Sequence, residues 1–238
     1  MEDIIMAELY LEDCYIKEFD AVVESVKDDK FVVLDKTAFY PNSGGQPHDL
    51  GVLIKDETEY PVDYVGKFSG KISHEVTKPG LKVGDKVKGV IDWNRRYKFM
   101  RYHTACHVLS AVIHKETGAK ITGNQIGVDK TRVDFSLENF DRGQIKSYQD
   151  KVNKIINQEI PVNIKILSRE DAFKIPDIVK LKMDFPESVK EIRIIELENL
   201  DMQACGGTHV RNTAEIGPIE IIKAENKGKN NRRIYFKI

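Results

Sequence analysis

From residue 19 to residue 92 the chain runs in short stretches of β-branched and aromatic residues broken by turn signals. FDAVVESV and FVVLD flank a DDK segment and predict a hairpin. GVLI, YPVDYV, KISHEV and KVKGVID predict further strands, with Gly66, Gly70, Pro79-Gly80 and Gly84 as the breaks between them. Strands this short and this regularly spaced predict a small β-barrel or sandwich. At Asp92 the period changes. In WNRRYKFMRYHTACHVLSAVIHKETG the residues Tyr97, Met100, Thr104, Val108, Ala111 and Val112 recur at helical spacing, with Asp92 as N-cap and Gly118 as stop. AKITGNQIGV and RVDFS follow as strands. A second amphipathic helix is expected from about Asp141 to Glu159, with Ile145, Tyr148, Val152, Ile155 and Ile156 on one face. VNIKIL reads as a strand and SREDAFK as a helix start; EIRIIEL, the segment near Met202, IGPIEIIKAE and RRIYFKI read as closing strands. The fold class is therefore α+β: a small N-terminal β-barrel over residues 1–92, then an α+β domain over residues 93–238.

At 238 residues, 41% hydrophobic and 32% charged, with a formal net charge of −1, the composition is that of a globular chain. Neither a disordered nor a membrane class fits it. The acidic MEDIIMAELYLEDCY start has no signal-peptide or membrane-span pattern, and a cytoplasmic protein with no membrane partner is expected. Near-neutral charge argues against wholesale charge-driven binding to nucleic acid but leaves room for local basic clusters. Cys14, Cys106 and Cys205 are too few and too scattered for a disulfide framework, so each is a free thiol or a metal ligand.

The chemistry is carried by two spaced pairs. His103 and His107 lie four residues apart on the predicted helix, which puts both imidazoles on one face. Cys205 and His209 bracket Gly206, Gly207 and Thr208 in QACGGTH, where the glycines are expected to fold the backbone so that thiolate and imidazole converge. Each pair alone has a bland reading, a half-buried helix face or an ordinary turn. Together they use the residue types zinc prefers at matching spacing, and one zinc ion on His103, His107, Cys205 and His209 is the expectation. His209, at the end of the glycine turn, is expected to be the ligand that gives way to water. Cys106 points to a different helix face and reads as a packing thiol; His48, His74 and His114 read as structural histidines. No HExxH glutamate accompanies the pair, since Thr104 follows His103, so a zinc peptidase is disfavoured.

HTACH, CGGTH and the earlier FYPNSGGQPHDLG together resemble the editing half of alanyl-tRNA synthetase and the free-standing alanyl-tRNA editing (AlaX-type) proteins. The likeness runs from about Phe19 to the C-terminus, with the motifs in the family's order. It implies the same four zinc ligands and a trans-acting hydrolase that removes serine or glycine from mischarged alanine tRNA. It also implies substrate contacts from Thr37, whose family counterpart is linked to the serine hydroxyl, and from the loop holding Gly44, Gly45 and Gln46, with Asp49 framing the site or the domain junction. Asn124 stands in Thr122-Gly123-Asn124-Gln125 where the family carries a small serine, and Asp134 in RVDFS, which matches the family's strand, is a candidate to orient a ligand imidazole or a plain strand cap.

Arg95, Arg96, Lys98 and Arg101 crowd the start of the histidine helix, and Lys223, Lys227, Lys229, Arg232 and Arg233 the C-terminal hairpin. Of these, Arg95, Arg96, Lys229, Arg232 and Arg233 are the candidate tRNA contacts, against the plain alternative of a solvated charged face. Tyr97, Tyr102 and Tyr235 are candidates to stack on an unpaired 3′ end, or core residues. No DNA partner is expected. Two other functions stay open at this point: a threonyl-tRNA type of editing domain, and a non-catalytic RNA-binding module with a closed structural zinc.

Overall fold

The computed structural model describes residues 7–138, 142–176, 178 and 189–238. The chain divides into two compact units, Met1–Lys98 and Phe99–Ile238.

In the first unit β1 (Ala7–Glu8), β2 (Glu18–Lys27), β3 (Phe31–Leu34), β4 (Lys36–Thr37), β5 (Gly51–Lys55), β6 (Thr58–Phe68), β7 (Lys71–Val76) and β8 (Lys86–Ile91) follow one another. Six of them close into a barrel in the order β2-β3-β7-β6-β5-β8, all antiparallel, and β1 pairs with β4 in parallel outside it. The alternation seen in the sequence has a direct cause: Val23, Val32, Leu34, Leu53, Val62, Val65 and Ile72 point inward and are buried, and their neighbours point out. Asp28-Asp29, Asp56-Glu57 and Ser69-Gly70 all take positive φ at the hairpin tips, the hand that matches strand twist. Gly66, expected to separate strands, lies inside β6. A Cβ there would sit 2.7 Å from the Tyr64 ring and 2.8 Å from the Phe68 ring, so the residue makes room for aromatic neighbours and breaks nothing.

The second unit takes up the chain within α1 (Trp93–Thr117), followed by β9 (Ile121–Gln125), β10 (Thr131–Phe135), α2 (Arg142–Ile156), β11 (Val162–Ser168), α3 (Arg169–Phe173), β12 (Glu191–Leu197), β13 (Asp201–Ala204), β14 (Glu220–Asn226) and β15 (Arg232–Lys237). One antiparallel sheet has the order β14-β15-β10-β9 and a second β11-β12-β13. Asp92 caps α1, its Oδ1 accepting the Arg95 N–H at 3.1 Å, and Gly118 ends it at φ 71°. From Tyr102 to Ile113 every residue of α1 is buried, so this stretch is a central helix rather than one with a single apolar stripe. That is why histidine, threonine and serine side chains on it are also withdrawn from water. Helix α2 ends at Ile156, before Glu159 at φ 54°; Asp141, where it was expected to begin, lies outside the described residues. Among the described residues, no helix is long and apolar enough to cross a membrane.

Candidate metal centre

Two separate stretches of the second unit build the centre. Helix α1 supplies His103 and His107 one turn apart, their ring centroids 5.4 Å from each other. Strand β13 pairs with β12 and carries the chain into the turn that holds Cys205 and His209. The His209 ring lies 4.4 Å from that of His103 and 4.5 Å from that of His107. The Cys205 Sγ is 3.5 Å from the Nε2 of both His103 and His209. One donor atom from each of the four residues lies within 4.8 Å of the other three, so the cluster can hold a metal ion.

The electrostatics suit that role. Burial holds the His103 imidazole well below its usual pKa, with His107 and Arg193 adding to the effect; burial does the same to His209, with His103, His107 and Arg193 adding to it. Both rings are therefore neutral near pH 7, the form that offers a lone pair. Burial pushes the neighbouring Cys106 thiol far up, and the charge of Cys205 pushes it further, leaving Cys106 a protonated packing group.

Thiolate and imidazole converge in the CGGTH turn, but left-handed backbone at Gly206 is not the source. Gly206 avoids the left-handed region, and a Cβ added to it would meet nothing within 4 Å. Arg193 of β12 fixes the turn instead, with Nη1 donating to the Cys205 carbonyl at 2.7 Å and the Gly207 carbonyl at 2.8 Å, while the Cys205 amide donates to the Arg193 carbonyl at 3.1 Å. The Gly207 amide points at the Cys205 sulfur from 3.4 Å. No motif marks Arg193, which lies twelve residues before the cysteine; only the pairing of β12 with β13 brings it there. Thr104 was likewise passed over as a ligand-side group, yet its hydroxyl lies 3.1 Å from His209 Nδ1.

Other expected site residues fall in different surroundings. Asp134 does not orient a ligand histidine. Its carboxylate accepts Arg233 Nε at 2.7 Å, Arg233 Nη2 at 2.8 Å and Arg132 Nη1 at 3.0 Å. Asn124 lies half-buried on β9, opposite Val133. In the first unit Thr37 is fully buried. Its hydroxyl faces His74 Nε2 at 2.8 Å and accepts the Phe39 amide at 3.1 Å, while His74 Nδ1 lies 3.0 Å from the Val32 carbonyl. Because Nδ1 faces an acceptor it carries the ring proton, so Nε2 takes the Thr37 hydroxyl hydrogen. Gly44 and Gly45 form a tight turn at φ 57° and 80°, closed by paired backbone bonds between Ser43 and Gln46, whose side chain is buried.

Arg96, expected on an RNA-facing surface, is instead fully buried within the first unit. It is bound to both oxygens of Asp49 and donates to the carbonyls of Cys14 at 3.0 Å and Ala38 at 2.5 Å. No phosphate can reach it, and Asp49 of the glycine-rich motif serves as its counter-charge. Arg232 is also buried, its Nη1 donating to Asn226 Oδ1 and to the Gly228 and Asn231 carbonyls, so it organises the β14–β15 loop. Arg95 is half-buried with Nε on the His48 carbonyl, Arg233 is held by Asp134, and Lys229 is exposed. Tyr102 is buried, Tyr97 stacks on Trp93 at 5.5 Å, and Tyr235 is half-buried with Lys130 and Lys223 near its ring.

Comparison with known proteins bears on the cysteine half of the centre and on the first unit. Residues 192–235, which carry the cysteine half of the centre, match the threonyl and alanyl tRNA synthetase second additional domain. Residues 10–95 match the class II (A) tRNA synthetase family. The alanyl-tRNA editing protein AlaX-M of Methanosarcina acetivorans is 54% identical over 96% of this chain and 97% of its own length. The chain belongs to the alanyl-tRNA editing protein family. Within that family the AlaX-M protein of Saccharolobus solfataricus is 43% identical over 97% of this chain and 98% of its own length. The alanine–tRNA ligase of Pyrococcus furiosus is 39% identical over 96% of this chain, which corresponds to 25% of the ligase.

Proposed function

We propose that the chain is a trans-acting deacylase that hydrolyses the ester of Ser-tRNA(Ala) or Gly-tRNA(Ala), with one zinc ion on His103, His107, Cys205 and His209. The observation that carries this reading is the convergence of HxxxH and CxxxH donors in a member of the alanyl-tRNA editing family. The donor set, three imidazoles and one thiolate with all four donor atoms within 4.8 Å of one another, is of the kind zinc prefers. Both Sγ···Nε2 distances around Cys205 are 3.5 Å.

Bound zinc supplies a Lewis acid that polarises the ester carbonyl and makes water a stronger nucleophile near neutral pH. The chain's own part is to keep His103 and His209 neutral by burial and to fix Cys205 through Arg193. Cys106 stays protonated and does not compete with water as the attacking group. Attack on the carbonyl carbon breaks the bond to the ribose oxygen, which leaves as the terminal hydroxyl of the tRNA, and the amino acid departs as the free acid. Residues 1–92 form the barrel domain and 93–238 the editing domain of this reading. Gly44, Gly45 and Asn124 are its substrate-side residues; the burial of the Thr37 and Gln46 side chains removes those two. Arg95, Lys229 and Arg233 are its RNA contacts; the burial of Arg96 and Arg232 removes those two from that list.

The convergence of four protein donors also favours a second reading, a closed structural zinc in an RNA-binding module. Release of labelled serine from Ser-tRNA(Ala), with Ala-tRNA(Ala) as control, separates the two. Wild type should release serine and spare alanine; chelation or Cys205→Ala should lower the rate at least 100-fold. Binding of the tRNA with no release in any sample would leave only the structural reading.

A further inference from the structure

Thr104 sits between the two ligand histidines in HTACH, faces a third, and has no place in the reaction as described above. Its Oγ1 has three neighbours: the Met100 carbonyl at 3.0 Å, one helical turn back; the Val210 amide nitrogen at 3.2 Å; and His209 Nδ1 at 3.1 Å. All four residues are buried, so water does not substitute for any of these contacts. A hydroxyl has one hydrogen and two lone pairs. The Met100 carbonyl is an acceptor with no hydrogen of its own and takes the hydroxyl hydrogen; the Val210 N–H is a donor and takes one lone pair. The lone pair that remains demands a donor, and the group facing it is His209 Nδ1.

We propose that Thr104 is the positioning residue of the metal centre: it holds His209 in the Nδ1–H tautomer, so that the Nε2 lone pair faces Cys205 and the other donors. The same hydroxyl grips the imidazole and, through Val210, the backbone next to it, so side chain and main chain are set by one atom. This makes His209 a fixed ligand, in place of the labile one its position after the glycines implies. In the other tautomer Nε2–H would point at the Cys205 sulfur 3.5 Å away and no lone pair would face the cluster. Such contacts behind a metal-bound histidine typically change metal affinity by about 10–100-fold.

The inference rests on the zinc reading above, and the test separates the two. Zinc affinity is measured by chelator competition on the full chain for wild type, Thr104→Val and Thr104→Ser, with circular dichroism as the fold control. Thr104→Val keeps the shape and removes both lone pairs; a loss of about 10–100-fold is expected, with Thr104→Ser within a few-fold of wild type. Equal affinity of wild type and Thr104→Val overturns the positioning role and leaves the zinc site standing. A wild type that binds no zinc overturns both. If Thr104→Val fails to fold, two-dimensional 15N–1H spectra of histidine-labelled wild type with zinc decide the matter. His209 protonated on Nδ1 supports the inference, and His209 protonated on Nε2 overturns it.

Discussion

Replacing Arg96 with alanine should destabilise the first unit by about 3–5 kcal/mol, the range found when one partner of a buried ion pair is removed. The guanidinium is inaccessible to solvent, as is the Asp49 carboxylate it neutralises. After truncation that carboxylate keeps the Tyr40 amide at 2.6 Å and loses its counter-charge, while the Ala38 and Cys14 carbonyls lose a donor each. An unsatisfied buried acceptor costs about 1–3 kcal/mol on its own, but these terms share one cavity and do not add in full. Against a typical domain stability of about 5–15 kcal/mol the loss is about a fifth or more of the margin. Trp93 is the sole tryptophan and stacks on Tyr97 in this unit, so its fluorescence in a urea titration reports the right part of the chain. Two controls sharpen the result. Arg95→Ala, next in sequence but half-buried with its Nε on the His48 carbonyl and no buried carboxylate to strand, should change stability by less than about 1 kcal/mol. Arg96→Met with Asp49→Leu, which removes both charges, should recover most of the loss. An Arg96→Ala protein as stable as wild type but deficient in tRNA binding would refute the reasoning and restore Arg96 as an RNA contact.

His74 gives the first unit a pH dependence whose sign is fixed by its burial, which holds the imidazole down at about 4 against the pull of the Val32 carbonyl. As pH falls, the unfolded chain takes up the proton near 6.5 and the folded one only near 4, so stability is complete above 6.5 and declines from 6.5 to 4. The total is about 3 kcal/mol, with about 2 kcal/mol of it lost between pH 7 and 5. His74→Gln should flatten that slope in paired urea titrations at the two pH values, and an unchanged slope would exclude His74 as its source. Gly51→Ala should destabilise the barrel by about 3 kcal/mol. Its Cβ would lie 2.1 Å from the Val90 carbonyl oxygen and 3.1 Å from the Ile91 Cα, neighbouring-strand backbone that cannot swing aside. A variant within 1 kcal/mol of wild type in the same titration would show that the strands separate more easily than this packing implies.

The strands of the barrel were legible because burial on one face only leaves a period of two, and because acidic or small polar pairs such as Asp28-Asp29 tolerate the positive φ that hairpin tips need. The barrel expected over residues 1–92 is present, though strand spacing alone left barrel and sandwich both open. Closure depends on β2 pairing with β8 and β5 with β8, contacts between residues far apart in sequence that no local pattern encodes. The parallel pair of β1 with β4 spans two residues and leaves no periodicity at all. Helix α1 was found from its apolar spacing and its cap, yet that spacing understates it. A helix buried on every side has no polar face to set the period, so the spacing marks one stripe of it and leaves the burial of residues off that stripe, such as Ser110, unmarked.

The metal-centre residues and the basic residues differ in how much sequence can say, and the difference is physical. Two ligand pairs at i and i+4 restrict geometry within each pair, so only one long-range contact, α1 against the turn after β13, had to be supplied by the fold. An arginine restricts nothing locally. Its long side chain turns inward or outward according to whether a carboxylate and free carbonyls wait at the far end. Arg95 and Arg96 are adjacent, alike in sequence, and opposite in fate, because Arg96 meets Asp49 from the glycine-rich motif and Arg95 does not. Arg193 repeats the case from the other side: with no motif around it, it holds the Cys205 turn because strand pairing delivers it to two carbonyls. Carboxylates obey the same rule, since Asp134, beside a basic strand, is claimed by Arg132 and Arg233 before any histidine can use it. Spacing therefore carries a candidate metal centre, whereas the role of a charged side chain is decided by which opposite charge the fold buries beside it.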